Sequence, residues 1–598
     1  MPGGLQIVVS GGLALAGSIV RMAPRHTGPS PSGFRYLYHI LVLCILSLSN
    51  LVHSLAHPPQ DVLRSSSTIS QLSIPIEDSL NETSEALGPA TEESIHEPIL
   101  DTLENLINAL QVMQDKYFVL WQGTWPTSID WTAAVLGTHV SAALSSLSSG
   151  PLDIPDRDEL QGLSFFTLEN TVNRFFSDTS AFYFGENAFS VRNQAYDDML
   201  WVVLGWLGNI KFQNLHSDLH YQSANSSSES PWYGTQFRVS AAHRARIFYE
   251  LASAGWDKIL CGGGMIWSPY LLPYKNAITN ELYISASIEM YLYFPGDPID
   301  APFVGNSDGM RSSRGNPHNH VHLQAAVDGY DWLKSSNMTG IGGLYADGFH
   351  ISGWQSTSNP GSRKCDELNT MVYTYNQGVI LSGLRGLWIA TSSHVYLQDG
   401  YELIDKVLQA TGWPHVSSQQ WKGLGRGGVL EEACDASATC SQDGQTFKGI
   451  FFHHLAEFCR PLQPQEEQFL ADAARNNSER NDWYKVYARH TDQCRTYGPW
   501  IEHNAQAALM TRDSEGKFGS WWGRAYRQLE ADGLFDSSTI PEGAVDYRNH
   551  EKDSDPLAAG FRPTDYNDRG RGRTVETQSG GIAVLRALYQ WQSYDTRP

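Results

Sequence analysis

Segments with helical periodicity follow one another from Ile99 almost to the end of the chain, and this repetition constrains the fold more than any other feature. In the first segment, apolar side chains recur at spacings of three and four, at Leu103, Leu106, Leu110 and Met113. That spacing is the period of one face of an α-helix. Alternating apolar and polar residues, which indicate a half-buried strand, are almost absent from the same stretch. The pattern predicts an all-α domain.

The predicted helices are of two kinds. Residues 199–207 (MLWVVLGWL) and 378–390 (GVILSGLRGLWIA) are apolar on nearly every side, whereas residues 399–410 and 464–477 carry a polar face. A helix that is apolar all round is buried, and a helix with one polar face lies at the surface. An (α/α) toroid, in which outer amphipathic helices surround inner buried ones, accommodates both kinds in one domain. A helical solenoid is the alternative, but it requires a fixed repeat period that the sequence does not show.

The N-terminal part of the chain has a different character. An apolar run at residues 37–48 follows three arginines and no acidic residue, a pattern typical of a secretory signal peptide. We therefore expect residues 1–56 to be a signal peptide or N-terminal targeting segment; an uncleaved membrane anchor remains the alternative. Residues 57–98 are rich in Ser, Thr, Glu and Pro and predict a flexible spacer. Residues 99–598 then form the single helical domain.

Cysteine content and glycosylation motifs agree with export. If Cys44 is removed with the targeting segment, six of the seven cysteines remain, an even number that allows three disulfides with the pairing left open. Four N-x-S/T motifs occur, at Asn81, Asn225, Asn337 and Asn476. We therefore expect a secreted or cell-wall glycoprotein.

The charge of the chain restricts its partners. Lys and Arg number 42 and Asp and Glu 64, for a formal net charge of −22. An acidic chain repels the phosphate backbone of nucleic acids, so we expect no nucleic-acid partner. We expect a monomer.

Two adjacent acids, Asp197 and Asp198, open one of the apolar helices. An ordinary pair of acids in this position is a solvated helix start, because the helix dipole favours carboxylates there. The nine residues that follow carry no charge, so in an inner helix the two acids would lie against apolar walls, where ionisation is costly. Retaining glycosidases use two carboxyl groups about 5 Å apart. Adjacent acids at a helix end can meet this requirement, so the pair indicates a retaining glycosidase.

Further segments carry a resemblance to a known family. They are WPTSIDWTAAVLGTHVSAAL from Trp125, YDDMLWVVLGWL from Tyr196, CGGGMIWSPYLLPYKNAITNELYISASIEMYLYFPGD from Cys261, LYADGFH from Leu344, TYNQGVILSGLRGLW from Thr374, and GGVLEEACDASATCSQDGQTFKGIFFHHL from Gly427. Their order and number make the chain resemble fungal members of glycoside hydrolase family 76, the endo-α-1,6-mannanases. The resemblance covers roughly residues 110–595.

The resemblance implies an (α/α)6 barrel that acts on α-1,6-mannan with retention of configuration, without a metal or organic cofactor. Carried onto this sequence, it makes Asp197 the nucleophile and Asp198 the general acid/base. Three histidines that alternate at His318, His320 and His322 could ligate a metal, but we interpret them as solvated loop residues.

Residues around the acid pair are candidates for sugar binding because amides hydrogen-bond hydroxyls without adding charge and aromatic rings stack on pyranose faces. The candidates are Tyr274, Asn276, Asn280, Asp347, Tyr375, Asn376, Gln377 and Trp267. Each has a structural alternative: the amides can cap or crosslink helices, Asp347 can begin a turn, and Trp267, like Trp131, can belong to the core.

The leading hypothesis is therefore a secreted hydrolase that cleaves α-1,6-mannosidic bonds within mannan. Two alternatives remain. A cell-wall transglycosylase would use the same acids but resolve the glycosyl intermediate with a sugar hydroxyl instead of water. A non-catalytic glycan-binding wall protein would keep the aromatic groove without using the acids.

Overall fold

The computed structural model describes residues 92–150, 165–181, 194–221, 232–299, 315–476, 482–526, 540–549 and 565–595. The chain divides into two compact units, residues 1–86 and 87–598, and the first unit lies wholly outside the described residues. The predicted targeting segment and most of the predicted spacer lie outside them as well. Among the residues that are described, no helix combines the length and the hydropathy that crossing a bilayer requires.

The described residues are mainly helical. In chain order the helices are α1 (Glu92–Tyr117), α2 (Asp130–Ser149), α3 (Phe165–Ala181), α4 (Tyr196–His220), α5 (Arg238–Ala252), α6 (Ala277–Leu292), α7 (His320–Ser335), α8 (Tyr375–Thr391), α9 (Val395–Thr411), α10 (Gln442–Cys459), α11 (Pro464–Asn476), α12 (Trp483–Arg495), α13 (Gly498–Leu509) and α14 (Val575–Asp595). The strands are β1 (Lys275–Asn276), β2 (Gly348–His350), β3 (Glu367–Asn369), β4 (Gly425–Arg426) and β5 (Val429–Leu430).

Six helices form a closed ring. In order around the ring they are α2, α4, α6, α8, α10 and α14; each packs against the next, and α14 packs back against α2. Helices α1, α3, α5, α7, α9 and α13 each pack against a helix of this ring. The arrangement is an (α/α)6 barrel, as predicted. Helices α11 and α12 are additional and lie beside α8 and α10.

Burial separates the two kinds of helix as the sequence predicts. Every residue of α6 is buried, and so is every residue of α10 except Asp443, because these helices have neighbours on all sides. Helix α9 instead buries one face, which includes Leu397, Leu403, Ile404 and Val407. Inner helices that are apolar all round and outer helices with one apolar stripe therefore form a single core.

The inner helices run in the same direction. At their amino ends, the Glu576 carboxylate accepts hydrogen bonds from Thr132 (2.9 Å) and Gln442 (2.8 Å), which joins α14, α2 and α10. At their carboxyl ends, Arg586 of α14 donates to Ser146 of α2 (3.0 Å) and Glu457 of α10 (2.7 Å). The positive ends of the helix dipoles therefore converge on one mouth of the barrel, where they favour negative charge.

A small antiparallel sheet lies at the amino-end mouth. Strand β2 pairs with β1 and β3 in the registers Asn276↔Gly348 and Phe349↔Leu368. The backbone N–H of Ala277 donates to the Asp347 carbonyl (2.8 Å), so the residue before β2 lies beside the start of α6. The sheet thus brings Asp347 to the helix ends.

Three disulfides join the six cysteines that follow the predicted targeting segment. The pairs are Cys261–Cys365, Cys434–Cys440 and Cys459–Cys494. The prediction of three disulfides is confirmed, and the structure supplies the pairing that the sequence left open.

Candidate active site

The acid pair lies in the first turn of α4. The Asp198 carboxylate accepts a hydrogen bond from the backbone N–H of Ala195 (3.2 Å), and the Asp197 carboxylate accepts one from the N–H of Asp198 (3.1 Å). The interpretation of the pair as an ordinary helix start therefore holds in part, because the Asp198 carboxylate accepts a hydrogen bond from a backbone N–H at the start of the helix. Asp197 is buried, at 4% exposure, and is therefore not a solvated helix start.

The two carboxyl groups differ in their tendency to ionise. Burial raises the pKa of Asp197 to about 6, and the Arg548 guanidinium, 3.8 Å away, limits that rise. Burial and the negative charge of Asp197 together raise the pKa of Asp198 well above its ordinary value. At a pH between the two pKa values, Asp197 is therefore ionised while Asp198 keeps its proton. This division of roles is the one that acid–nucleophile catalysis requires.

Asp347 faces the same region and is buried at 3% exposure. Its Oδ2 accepts hydrogen bonds from the Tyr274 hydroxyl (2.6 Å) and from the Asn369 amide (3.2 Å), while Oδ1 has no partner among the described residues. Burial raises the pKa of Asp347, and the positive charge of Arg548 opposes that rise. An oxygen without a partner is available to a sugar hydroxyl.

Three further predicted residues present buried polar atoms that have no partner within the described ranges. They are both amide atoms of Asn276, both amide atoms of Asn376, and the hydroxyl of Tyr375. Asn276 precedes the first residue of α6, and Tyr375 and Asn376 begin α8. Buried polar atoms normally have hydrogen-bond partners, so such atoms at the amino-end mouth suit water or a bound sugar.

Asn280 and Gln377 were predicted to contact sugar, and the structure gives them another role. The Asn280 amide bonds the backbone N–H and carbonyl of Met265 (2.7 and 3.2 Å) and the carbonyl of Asn276 (2.8 Å). The Gln377 amide bonds the N–H and carbonyl of Tyr345 (2.8 and 2.9 Å) and the carbonyl of Tyr373 (3.0 Å). Both amide groups take part in crosslinks between segments, which is the arrangement that the structural alternative predicts.

The two tryptophans lie beside carboxyl groups. Against the effect of burial, the Trp267 side chain favours the ionised form of Asp197, and the Arg548 guanidinium lies over the Trp267 ring, 5.2 Å from its centroid. The Trp131 indole donates to Asp443 (2.9 Å) and stacks on Trp201. Each indole therefore lies beside a charged group of the site, and sugar stacking on Trp267 stays a prediction.

Sequence reasoning missed Arg548 and Asp443. Asp443 lies in the first turn of inner helix α10, as Asp197 does in α4, so the same search for acids at the start of an apolar helix would have found it. Arg548 belongs to a segment without helical periodicity, and no local signal connects it with α4. Only the folded chain brings it to the acid pair.

A cavity of about 670 Å³ lies toward the carboxyl ends of the inner helices. Its charged groups pair with one another: Lys211 contacts Glu289 (3.0 Å) and Glu457 (3.3 Å), and Arg586 contacts Glu457 (2.7 Å). Although burial alone would raise it, the charges of Lys211 and Arg586 hold the pKa of Glu457 well below its ordinary value. Carboxylates engaged in this way are structural, so the acid pair at the opposite mouth is the better candidate.

The three histidines are not all solvated loop residues, since His320 and His322 belong to α7 and His322 is buried. The described part of the chain has one group with the spacing of metal ligands, Cys434, Asp435 and Cys440, but its two cysteines form a disulfide. His318 bonds the carbonyl of Tyr291 (2.9 Å).

A closed ring of six inner helices with adjacent carboxyl groups at its mouth defines an α/α-barrel with a paired-carboxyl site. Residues 314–497 match the family model described as "Glycosyl hydrolase family 76". This match confirms the resemblance to that family over about a third of the chain, in a segment that does not include the acid pair.

Fungal relatives also match part of the chain. "Mannan endo-1,6-alpha-mannosidase DCW1" of Saccharomyces cerevisiae is 23% identical over 231 residues, which are 38% of this chain and 42% of the relative. The protein of that name from Candida glabrata is 19% identical over 302 residues, which are 47% of this chain and 57% of the relative. "Mannan endo-1,6-alpha-mannosidase DFG5" of S. cerevisiae is 24% identical over 33% of this chain and 35% of the relative. The chain thus spans about half the length, or less, of these relatives.

Solved structures also resemble the chain. The GH76A alpha-1,6-mannanase from Salegentibacter sp. HEL1_6 is 17% identical, with a TM-score of 0.45 over 82% of this chain and 98% of the mannanase. Dfg5 from Chaetomium thermophilum, in complex with glucosamine, is 13% identical, with a TM-score of 0.46 over 85% of this chain and 92% of that structure.

Proposed function

We propose that the chain is a glycoside hydrolase that cleaves α-1,6-mannosidic bonds within mannan and retains the configuration at the anomeric carbon. The observation that carries the proposal is the adjacent pair Asp197 and Asp198 in the first turn of inner helix α4, with the Arg548 guanidinium 3.8 Å from Asp197. Burial and the charge of Asp197 raise the pKa of Asp198 well above its ordinary value. The names of the fungal relatives support mannan as the substrate. The match to family 76 supports the reaction class.

In the first step, Asp197 attacks the anomeric carbon while Asp198 gives its proton to the departing glycosidic oxygen. The bond from carbon to the leaving oxygen breaks, and a covalent glycosyl ester of Asp197 forms. In the second step, Asp198, now ionised, removes a proton from water, and the water oxygen displaces Asp197. Two inversions at the same carbon retain its configuration.

The surrounding residues bind the sugar. Asn276, Asn376 and the free oxygen of Asp347 offer hydrogen bonds to mannose hydroxyls, since each has polar atoms without a partner in the described structure. Tyr274 holds Asp347 in place through its hydroxyl. No step requires a metal or an organic cofactor.

We also propose that the protein acts outside the cell or in the cell wall, as a monomer. Three disulfides support export, because disulfides persist in oxidising compartments. In this proposal residues 1–56 are the targeting segment and residues 57–98 the spacer.

The substitutions Asp197→Asn and Asp198→Asn test the proposal. Each removes a group that acts in the chemical step, so we expect release of reducing ends from α-1,6-mannan to fall by roughly 10³-fold or more. Asp218→Asn, the same change at the exposed carboxyl end of α4, is the matched control and should leave turnover unchanged. The unfolding temperature of each variant should confirm that the barrel is intact.

Substantial activity in both site variants would refute the assignment. An added oligomannoside acceptor separates hydrolysis from transglycosylation, because a transglycosylase would yield longer products. Binding of mannan by the wild-type protein without release of reducing ends would instead support a glycan-binding protein.

A further inference from the structure

Residues 545–549, here called the strap, lie across the amino-end mouth of the barrel. Each strap residue contacts a different part of the rim. The backbone of Val545 exchanges hydrogen bonds with the Asn369 amide, and the Asp546 carboxylate accepts a hydrogen bond from the Tyr373 hydroxyl. Tyr547 forms a hydrogen bond with His350, and Arg548 forms an ion pair with Asp197. The Asn549 side chain accepts a hydrogen bond from the backbone N–H of Ser441. Five consecutive contacts fix the path of the strap and place one cation over the acid pair.

Arg548 is enclosed by acidic groups from several elements. Its guanidinium lies 3.8 Å from Asp197 of α4, which precedes Asp198, and 5.2 Å from the centre of the Trp267 ring. Asp347, which precedes β2, Asp443 of α10 and the phenol of Tyr375 of α8 also act electrostatically on Arg548. The guanidinium remains charged in such surroundings.

A positive charge beside Asp197 stabilises the ionised form of its carboxyl group. Asp197 is buried next to Asp198, and its burial favours the neutral form of the carboxyl group. A neutral carboxyl group is a poor nucleophile. Arg548 is the group that favours the ionised form of Asp197 by a direct charge contact.

We propose that Arg548 is a positioning residue that keeps Asp197 ionised beside protonated Asp198 and thereby sets the lower pH limit of the reaction. The inference rests on the proposed function for its consequence in catalysis. The ion pair itself has consequences that do not require catalysis, and these can be measured separately.

The pH dependence of kcat/KM on α-1,6-mannotetraose tests the catalytic part in the wild type and in Arg548→Met and Arg548→Lys. In the wild type, activity should fall as the pH drops through about 6, where Asp197 takes up a proton. Without the guanidinium, Asp197 should hold its proton to higher pH. We expect the acidic limb to move up by about one pH unit or more in the methionine variant, and the lysine variant to recover part of that shift.

Arg238→Met is the matched control, because Arg238 is an exposed residue of outer helix α5 and its loss changes the net charge equally. Its pH profile should coincide with that of the wild type. A fall in kcat/KM for Arg548→Met that is the same at every pH would overturn the proposal, because it would indicate a structural role for the strap.

A double-mutant cycle tests the ion pair without any activity. We expect Arg548→Met to lower the unfolding temperature at pH 8 more in the wild type than in the Asp197→Asn background, where position 197 carries no charge to pair with Arg548. At pH 4.5 the side chain at position 197 is neutral in both backgrounds, as protonated Asp in one and as Asn in the other, so the two losses should be equal. Equal decreases in unfolding temperature at pH 8 would show that Arg548 does not pair with Asp197 and would overturn the proposal. Unequal decreases in a protein that does not hydrolyse mannan would refute the proposed function and leave the ion pair standing.

Discussion

At the scale of single residues, the site shows how two aspartates at neighbouring positions differ in their tendency to ionise. Asp197 and Asp198 share a helix start, and the helix dipole favours the charged form of both. Burial opposes that charge in both, and Arg548 approaches Asp197. The residue next to the cation therefore ionises first, and its charge then keeps the neighbouring proton in place.

Tyr375 allows a prediction that separates substrate binding from stability. Its hydroxyl is buried without a partner among the described residues, while its ring stacks on Phe447 at 3.9 Å. We expect Tyr375→Phe to lower kcat/KM on mannan roughly 10-fold, because a buried hydrogen bond to substrate is lost. The unfolding temperature should not fall, since the ring stack remains and no hydrogen bond within the described structure is broken.

Tyr249→Phe is a control in which we expect stability, and not turnover, to change. The Tyr249 hydroxyl bonds Ser287 (2.8 Å) between α5 and α6, so its loss should reduce the free energy of unfolding by about 1 kcal/mol without changing turnover. If Tyr375→Phe instead lowers stability and leaves kcat/KM unchanged, Tyr375 belongs to the core.

At the scale of elements, the sequence distinguished inner from outer helices because burial imposes a local composition. A helix enclosed on all sides is apolar all round, and this property can be read within a few turns of sequence, as in residues 378–390 of α8. How closely two inner helices approach is a different matter. The distance between two neighbouring inner helices depends on which residues face each other in the ring. A glycine can mark such a close contact, but only the structure shows which glycines do so.

Gly449 of α10 illustrates this close approach. An added Cβ would meet the Gly580 Cα of α14 at 2.9 Å, whereas at Gly137 of α2 it would meet nothing within 4 Å. We therefore expect Gly449→Ala to reduce the free energy of unfolding by about 1–3 kcal/mol through overpacking. Gly137→Ala should increase it by up to about 1 kcal/mol, because alanine favours the helix. Urea unfolding of the two variants checks the contrast, and similar effects in both would contradict the observed packing.

At the scale of the whole molecule, the disulfides tie distant parts of the barrel together. Cys261–Cys365 closes a loop across 104 positions and joins the segment before Trp267 to the segment before β3. Cys434–Cys440 spans only six positions. In the chain-entropy account, a longer loop restricts the unfolded chain more strongly.

Removing these two disulfides should therefore have unequal effects. We expect the double substitution Cys261→Ser/Cys365→Ser to cost about 5 kcal/mol, and Cys434→Ser/Cys440→Ser about 2 kcal/mol, in the free energy of unfolding. Denaturant unfolding of both double variants measures the difference. A larger loss from the short loop would show that strain or local packing, and not chain entropy, governs their contribution.

The sequence by itself determined the helices, their division into inner and outer, and the acids at the start of α4, because helical periodicity and helix-end chemistry act over a few residues. The motif resemblance added the family and the expected roles of Asp197 and Asp198. Tertiary structure alone decided that Asn280 and Gln377 crosslink segments while Asn276 and Asn376 keep polar atoms unpartnered, because all four are amides in similar sequence surroundings. It also decided that Arg548 meets Asp197, since the two lie more than three hundred residues apart and their charges interact only after the ring of helices has closed.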